Sequence, residues 1–302
     1  MIIVLSLLID RWWGEPPPRI HPVVWMGHYL RRAGRDLPDR GRRVAFLFGM
    51  LLWIGGATAV AALYGYADVL LGKLPVWLEI IVTALLLKPL LALRMLLGEV
   101  KAVEESLGQG LERGRARLRM IVSRDTAQLD ADQVRESALE SLAENLSDSV
   151  VAPLFWFVIF GLPGAAVYRF ANTADAMWGY RGRWEWAGKF AARADDLLNF
   201  IPARVTAVGL LLVGSDRMAL LRRLPAEAAH TGSPNSGWPM SALALSLNIH
   251  LRKPQVYVLN ESGSSPSAAD VVTALRRAEL TAWAIAGVLA IVMQIAPRVA
   301  YG

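Results

Sequence analysis

Three carboxylates stand at four-residue intervals immediately before a long apolar stretch of the chain. They are Glu140, Glu144 and Asp148, in the segment ESLAENLSDSVVAPLFW at residues 140–156. Residues four apart lie on one face of a helix, so these like charges repel and destabilise an isolated helix by about 0.2–0.5 kcal/mol per pair. A helix that carries this column therefore needs a compensating positive charge.

More polar clusters follow at the edges of later apolar segments. In NTADAMWGY, Asn172 and Asp175 are three residues apart on one helical face. In ARADDLLNFIPAR, Asp195 and Asn199 share a face in the same way. The other polar candidates beside apolar segments are Arg124, Asp125, Asn145, Arg193, Asp196, Arg204, Asn235 and Ser236. Because charge at bilayer depth is costly unless it is paired or hydrated, membrane proteins keep such residues mainly where they function.

The residue types in these clusters indicate metal and phosphate chemistry. Carboxylate and amide oxygens are the ligands that magnesium prefers, and magnesium keeps several waters while contacting phosphate oxygens. Arginines hold anionic groups through forked hydrogen bonds. The clusters together predict phosphoryl chemistry around a divalent cation.

Each cluster also has a purely structural interpretation. Glu140 and Glu144 are read as a solvated helix face paired with Arg135 or neighbouring arginines, and Asn172 and Asp175 as a helix cap. One of Asp195 and Asp196 is read as an ion-pair partner of Arg193, and Arg204 as snorkelling to the membrane surface.

The composition is that of an integral membrane protein. Of 302 residues, 54% are hydrophobic and 19% are charged, which is too apolar for a soluble domain of this length. The absence of cysteine excludes disulfides and thiolate ligands. The net charge of +6 comes mostly from arginines beside apolar segments, so it sets orientation and does not indicate nucleic-acid binding. The sequence contains no P-loop, GxGxxG, GxSxG or HExxH motif, so any ATP site is of a nonstandard kind.

The apolar segments predict a polytopic helical protein. Residues 44–71 and 76–97 are expected to cross the bilayer as a hairpin, and residues 280–296 supply a final crossing. Residues 149–168 are interrupted by GLPG, so a span and a re-entrant hairpin both remain open. The same choice is open for residues 197–213.

The distribution of basic residues predicts the orientation. Residues 10–43 carry eight arginines, whereas the turn at residues 72–75 has one lysine. The arginine-rich side is expected to be cytoplasmic, together with residues 98–148 two crossings later. The predicted fold is therefore all-α, a single membrane-embedded catalytic domain over residues 1–302 with re-entrant or broken helices and polar cytoplasmic insertions.

Several of these motifs, in this order, resemble one known family. They are DRWWGEPP…HPVVWMG, RDTAQL, ESLAENLSDSVVAPLFW, NTADAMWGY, GKFAARADDLLNFIPAR and PNSGWPMSALA. The chain resembles the CobD/CbiB family of cobalamin biosynthesis, adenosylcobinamide-phosphate synthase, over most of its length. The departures are small: Leu146 and Ser149 stand where other small or polar residues are expected, and ADAM replaces a serine-containing form.

The resemblance implies a multi-pass ligase of the inner cell membrane with its active site on the cytoplasmic side. Such an enzyme joins adenosylcobyric acid to (R)-1-amino-2-propanol O-phosphate, or a related amino-alcohol phosphate, as an amide. ATP is the co-substrate and Mg²⁺ the metal. The implied partners are the corrinoid, the amino-alcohol phosphate and the lipid bilayer, without nucleic acid, and association with other membrane-bound cobalamin-assembly enzymes is a further expectation.

With this reaction in view, the polar residues are assigned predicted roles. The catalytic candidates are Glu144, Asp148, Asp175, Asp195 and Asp196, with Asp195 or Asp196 as a ligand or as the base for the amine. The metal candidates are Glu140, Glu144, Asp148 and Asp175. The substrate-binding candidates are Arg124, Asp125, Asn145, Asn172, Arg193, Asn199, Arg204, Asn235 and Ser236, of which the three arginines are candidate phosphate clamps.

Two rival functions remain open from the sequence. A magnesium-dependent prenyl or CDP-alcohol transferase also places aspartates at helix ends, although NTADAM and RADDLLN only imitate the repeated aspartate patterns of those enzymes. A non-catalytic membrane transporter or sensor would instead arrange its intramembrane charges along a pathway.

Overall fold

The computed structural model describes residues 1–213 and 217–295, and these residues are mostly helical. In chain order the helices are α1 (Ile2–Trp13), α2 (Pro22–Gly34), α3 (Arg42–Leu71), α4 (Val76–Leu87), α5 (Leu93–Gly108), α6 (Leu111–Leu118), α7 (Ala131–Leu146), α8 (Ala152–Trp178), α9 (Lys189–Leu212), α10 (Arg217–Ala228), α11 (Gly237–Leu247) and α12 (Ala268–Ile295). Two short strands, β1 (Leu251–Lys253) and β2 (Tyr257–Leu259), pair as an antiparallel hairpin. The all-α prediction is confirmed.

Several helical segments are long and apolar enough to cross a membrane. Within the described residues these are Arg42–Leu71, Val76–Gly108, Ala131–Trp178 and Ala268–Ile295. Four of the five predicted apolar segments fall in them, apart from Ala296, which lies outside the described residues. The fifth, residues 197–213, lies in α9 apart from its last residue, and the apolar part of that helix, Phe200–Leu212, is shorter. The prediction of a helical membrane protein is confirmed, while the choice between crossing and re-entry at residues 149–168 and 197–213 stays a prediction.

The chain forms two compact units, each built from separate stretches of sequence. Unit 1 contains Met1–Ala92, Ala152–Asn199 and the described residues from Ala286 onwards, and unit 2 contains Leu93–Val151 and Phe200–Ile285. The expectation of a single catalytic domain over the whole chain stays a prediction.

A buried ionic network holds the amino-terminal motif of unit 1. The Lys88 ammonium, in a 3₁₀ turn after α4, lies 3.3 Å from Asp10 Oδ1 and 3.1 Å from Glu15 Oε2. Glu15 in turn bonds His21 Nε2 at 2.9 Å, and His21 caps α2 by accepting from the Val23 N–H. Because a buried charge is stable only when it is paired, this network explains how the motif DRWWGEPP…H can contain buried charged residues.

The predicted helix breaker GLPG produces a sharp bend inside α8. Phe160 and Gly161 have non-helical backbone angles, and Gly161 has φ 65° and ψ −156°. The chain then folds back so closely that a Cβ added at Gly164 would lie 2.4 Å from the Trp156 carbonyl oxygen. The sequence therefore places the interruption correctly.

Gly161→Ala is expected to destabilise the protein by about 1–3 kcal/mol, because side-chain-bearing residues rarely adopt this conformation. Thermal unfolding of the purified protein in detergent measures the change. Gly98→Ala is the matched control, since its added Cβ meets no atom within 4 Å inside α5 and alanine favours the helix. A Gly161→Ala variant as stable as the control would contradict the assignment of the bend.

Unit 2 is organised around α7, a helix buried on most of its surface. It begins with a capping box, in which Asp130 accepts from the Gln133 N–H and the Gln133 side chain accepts from the Asp130 N–H. It packs against α5, α6, α11 and the β-hairpin. The helix continues into a π-helical turn at Ser147–Val151. A π turn holds more residues than an α turn. Glu140 and Glu144 therefore share one helix face as predicted, whereas Asp148, in the π turn, is rotated away from that face.

Candidate functional site

The structure brings together two of the predicted motifs in unit 1. Asn172 on α8 donates from Nδ2 to Asp195 Oδ1 on α9 at 3.4 Å. Asn199, one turn after Asp195, donates from Nδ2 to Asp195 Oδ2 at 3.0 Å. The shared face predicted for Asp195 and Asn199 is confirmed. Asn172 contacts Asp195 from a position inside α8, whereas the structural alternative placed Asn172 at a helix cap.

These residues lie in a group of three aspartates, Asp175, Asp195 and Asp196, which we call the acidic cluster. Burial raises the pKa of Asp195 to about 7, with the Asp175 carboxylate as the next largest cause. Burial also raises the pKa of Asp196, although Arg193 opposes this. Negative charge is therefore crowded here.

The three aspartates differ in their partners. Arg193 Nη1 lies 3.5 Å from Asp196 Oδ2, as the structural alternative for one of the two adjacent aspartates predicts. No arginine, lysine or histidine within residues 1–213 and 217–295 forms an ion pair with Asp175 or Asp195. Asp175 and Asp195 are thus the two carboxylates of the cluster whose charge the described protein leaves uncompensated.

Two residues that the sequence reasoning missed orient the amides. The Tyr168 hydroxyl donates to Asn199 Oδ1 at 2.8 Å, and Arg169 Nη1 donates to Asn172 Oδ1 at 3.3 Å. Because each amide oxygen is occupied, each amide nitrogen turns towards Asp195. Tyr168 and Arg169 lie one turn before Asn172, so the same helical spacing that identified Asn172 and Asp175 identifies them.

A proline shapes α9 beside the acidic cluster. Pro202 has no N–H to bond the Leu198 carbonyl, which a regular helix would require. The Trp156 indole N–H donates to that carbonyl at 3.1 Å. The helix therefore continues through Pro202. The same hydrogen bond from Trp156 holds the turn that carries Asp195 and Asn199 against α8.

The donors of the acidic cluster fit magnesium by their chemistry. They are hard carboxylate oxygens, and their mutual repulsion is one that a divalent cation would relieve. No group of three or more histidine, aspartate or glutamate side chains in the described residues is arranged to hold a metal by itself. Magnesium usually binds proteins through one or two carboxylates and keeps several waters. A hydrated ion held by Asp175, Asp195 and substrate phosphates therefore fits the repulsion between the carboxylates, and it needs no group of three protein ligands.

The first carboxylate of the sequence column is neutralised within unit 2. Glu140 is buried and forms an ion pair with Arg124, whose Nη1 also donates to Ser137 Oγ at 3.0 Å. The Tyr257 hydroxyl donates to Glu140, and burial together with this carboxylate raises the pKa of Tyr257. The compensating charge for Glu140 is therefore supplied by Arg124, and the metal and phosphate roles predicted for these two residues stay predictions.

The column extends one turn further back, to the fully buried Glu136, which the sequence reasoning missed. Arg252 on β1 donates to Glu136 from Nη2 at 2.6 Å and from its backbone N–H at 2.8 Å, and His250 Nε2 lies at 3.4 Å. The same hairpin lines an open cleft of about 410 Å³ with Arg252, Lys253 and Tyr257. The four-residue spacing that selected Glu140 also selects Glu136.

The solvated-face alternative for this column is wrong for Glu140, which is buried. Arg135, the arginine that this alternative names, instead forms a two-pronged ion pair with Glu104 on α5, at 2.9 and 3.0 Å, whereas pairing of Glu140 with another arginine is confirmed by Arg124. Glu144 is half-buried and close enough to Tyr257 to contribute to the raised pKa of the Tyr257 hydroxyl.

The remaining predicted residues around α7 have local structural contacts. Asn145 Nδ2 donates to the Ser141 carbonyl at 2.9 Å, and Asp125 Oδ1 accepts from the Ala127 N–H at 2.9 Å. Asp148 is half-buried in the π turn. The convergence of Glu144 and Asp148 with Asp175 stays a prediction.

Arg204 joins the motifs NFIPAR and PNSGWP inside unit 2. Its Nη1 donates to the Phe200 carbonyl at 2.6 Å and to Asn235 Oδ1 at 3.4 Å. Its guanidinium carbon lies 3.6 Å from the Phe200 ring centre and 4.4 Å from that of Trp238. Ser236 follows in the same turn, where its N–H donates to Ser233 Oγ at 3.2 Å. Arg204 is thus held in place by protein groups, and the choice between a phosphate clamp and snorkelling to the membrane surface stays open.

Comparison with known proteins agrees with this sequence pattern. Residues 3–286 match the family described as CobD/Cbib protein. The chain is 39% identical over 285 residues, 93% of each chain, to a protein of Methanothermobacter thermautotrophicus named probable cobalamin biosynthesis protein CobD. It is 37% identical over 267 residues, 86% of each chain, to the cobalamin biosynthesis protein CobD of Dehalococcoides mccartyi. No solved structure matches the chain.

The helices and their polar clusters define an α-helical membrane protein with oxygen-rich and arginine-containing sites. The chain belongs to the CobD/CbiB family of cobalamin biosynthesis. The resemblance predicted from the ordered motifs is confirmed.

Proposed function

We propose that the protein is an adenosylcobinamide-phosphate synthase, an ATP- and magnesium-dependent ligase. It joins adenosylcobyric acid to (R)-1-amino-2-propanol O-phosphate, or a related amino-alcohol phosphate, through an amide bond. The observation that carries the proposal is the acidic cluster in a chain of this family. Asp175 and Asp195 lie near two oriented amides, and no cation of the described residues pairs with them.

The chemistry of amide formation explains why ATP is required. A carboxylate does not condense with an amine in water until it is activated. The corrinoid carboxylate oxygen attacks the γ-phosphorus of ATP, which releases ADP and forms an acyl phosphate. The amine then attacks the acyl carbon, and inorganic phosphate leaves with the former carboxylate oxygen. The amine must be neutral when it attacks, so it loses a proton to a base.

The residues of unit 1 are suited to bind phosphate and to accept this proton. Asp175 and Asp195 would hold magnesium, which supplies neutralisation of phosphate charge when it is bound. Asn172 and Asn199 fix both oxygens of Asp195. As the alternative to its metal role, Asp195 is a better candidate for the base than Asp196, which pairs with Arg193. The metal roles of Glu140, Glu144 and Asp148 remain predictions from the sequence.

The location of the reaction is part of the proposal. The four helices of spanning length support a membrane-bound enzyme, and the arginine-rich residues 10–43 favour a cytoplasmic active site in the inner membrane. Corrinoid intermediates and other membrane-bound enzymes of cobalamin assembly are the expected partners.

A reconstitution assay tests the proposal. The purified protein in lipid nanodiscs is incubated with adenosylcobyric acid, aminopropanol phosphate, ATP and Mg²⁺, and the product is identified by mass. Amide product together with stoichiometric ADP is expected, and omission of ATP or Mg²⁺ should abolish it. Turnover of a prenyl diphosphate or CDP-alcohol without amide formation would support the transferase instead, and corrinoid uptake into vesicles without ligation would support the transporter.

A further inference from the structure

The Arg204 guanidinium lies against two aromatic rings and has no charged partner among the described residues. Phe200 and Trp238 lie 3.6 and 4.4 Å from its central carbon. All its protein acceptors are neutral: the carbonyls of Phe200 and Pro234 and the side-chain oxygen of Asn235. Within residues 1–213 and 217–295, no carboxylate forms an ion pair with Arg204. A fixed positive charge therefore remains here without a counter-ion from the described part of the chain.

The hydrogen bonds of Arg204 use only part of its donor set. Nη1 donates twice, to Phe200 and Asn235, and Nη2 donates once, to the Pro234 carbonyl at 3.5 Å. A guanidinium has five N–H donors in a rigid plane. The Nε–H and one Nη2–H have no acceptor within the described residues, and the atoms Nε and Nη2 lie along one edge of the guanidinium plane. That edge matches the spacing of two oxygens of a phosphate or carboxylate.

The rings of Phe200 and Trp238 fix the orientation of the Nε–Nη2 edge of Arg204. Aromatic faces attract a guanidinium and restrict its plane, and a planar fork binds best when its orientation is set in advance. Phe200 comes from the same helix as Arg204, whereas Trp238 comes from α11, so the stack also fixes α9 relative to α11 within unit 2. Trp238 and Phe200 are thus candidates to act on a ligand through Arg204.

We propose that the Nε–Nη2 edge of Arg204 binds the phosphate of the amino-alcohol phosphate, with Trp238 and Phe200 as positioning residues. This assignment rests on the proposed ligase function. A single guanidinium edge binds one phosphate monoester by two parallel hydrogen bonds. ATP is the less suitable ligand at this position, because its triphosphate is bound with a divalent cation and no carboxylate pairs with Arg204 to share one.

Steady-state kinetics on matched variants test the assignment. Trp238→Ala is expected to raise the KM for aminopropanol phosphate by about tenfold or more, because Arg204 loses its fixed orientation. The kcat and the KM for ATP should stay within about threefold. Trp238→Phe keeps an aromatic face and should restore most of the affinity. Arg204→Lys should raise the same KM by a similar factor, since an ammonium lacks the planar fork.

Binding of inorganic phosphate, measured by calorimetry without turnover, separates this inference from the proposed function. Saturable binding by the wild type that weakens about tenfold in Arg204→Lys and Trp238→Ala, and recovers in Trp238→Phe, supports the site even if ligation fails. Absence of phosphate binding by the wild type would overturn the assignment. An increase in KM for ATP in place of aminopropanol phosphate, or equal effects of Trp238→Phe and Trp238→Ala, would overturn it as well.

Discussion

Asp195→Asn is expected to lower the rate of amide formation by about 10²–10⁴-fold, the range for loss of a positioned base or of charge stabilisation. The asparagine keeps the shape of the side chain but removes the charge that binds a cation or accepts a proton. The change relieves repulsion with Asp175 but replaces one oxygen that accepts from Asn172 or Asn199 by an NH2 group, so we expect little net change in the unfolding temperature. Single-turnover ligation in nanodiscs and thermal unfolding measure the two effects.

Asp196→Asn is the matched control for this prediction. Asp196 is the next residue on the same helix, but it pairs with Arg193, whose side chain is largely exposed. A surface pair of this kind contributes little, so we expect the rate to fall by less than about tenfold. If Asp195→Asn retained the wild-type rate within threefold, or if Asp196→Asn were the more damaging change, the role assigned to Asp195 would be wrong.

Arg124→Met is expected to lower the free energy of unfolding by about 3–5 kcal/mol, the cost of leaving a buried carboxylate without its partner. Glu140 is almost fully buried, and among the described residues its side chain is ion-paired only with Arg124. Denaturant unfolding of the purified protein measures the loss. Arg113→Met on the exposed surface of α6 is the control, for which a change within about 0.5 kcal/mol is expected.

The double variant Arg124→Met/Glu140→Gln distinguishes a structural pair from a metal ligand. If the main role of Glu140 is to pair with Arg124, neutralising it should restore much of the lost stability, and the magnesium dependence of ligation should be unchanged. A double variant as unstable as Arg124→Met would contradict the ion-pair account. A large increase in the magnesium concentration needed for ligation would instead support the metal role predicted from the sequence.

Contacts along one helix were predictable from the sequence, because helical spacing alone determines them. Asp195 and Asn199 are four residues apart, and the hydrogen bond between them follows directly. The bend at Gly161 was equally accessible, since glycine and proline interrupt helices for local reasons. The π turn that holds Asp148 was not, because nothing in its composition distinguishes it from an α turn.

Side-chain partners that are far apart in the sequence could not be predicted from it. Glu136 pairs with Arg252, 116 positions later, and no local pattern identifies that arginine among the many others. The same holds for Trp238, which the sequence presents as one of eleven tryptophans and the structure places against Arg204. Sequence spacing thus selected the reactive residue types, whereas tertiary packing decided which charges are neutralised by the protein.

Isotope transfer from the corrinoid carboxylate tests the central claim most directly. Adenosylcobyric acid labelled with ¹⁸O in its free carboxylate is converted in the presence of ATP, Mg²⁺ and aminopropanol phosphate, and the released inorganic phosphate is analysed by mass spectrometry. Activation as an acyl phosphate predicts one ¹⁸O atom in each phosphate released per amide formed. Amide formation with unlabelled phosphate, or with the label in AMP, would contradict it.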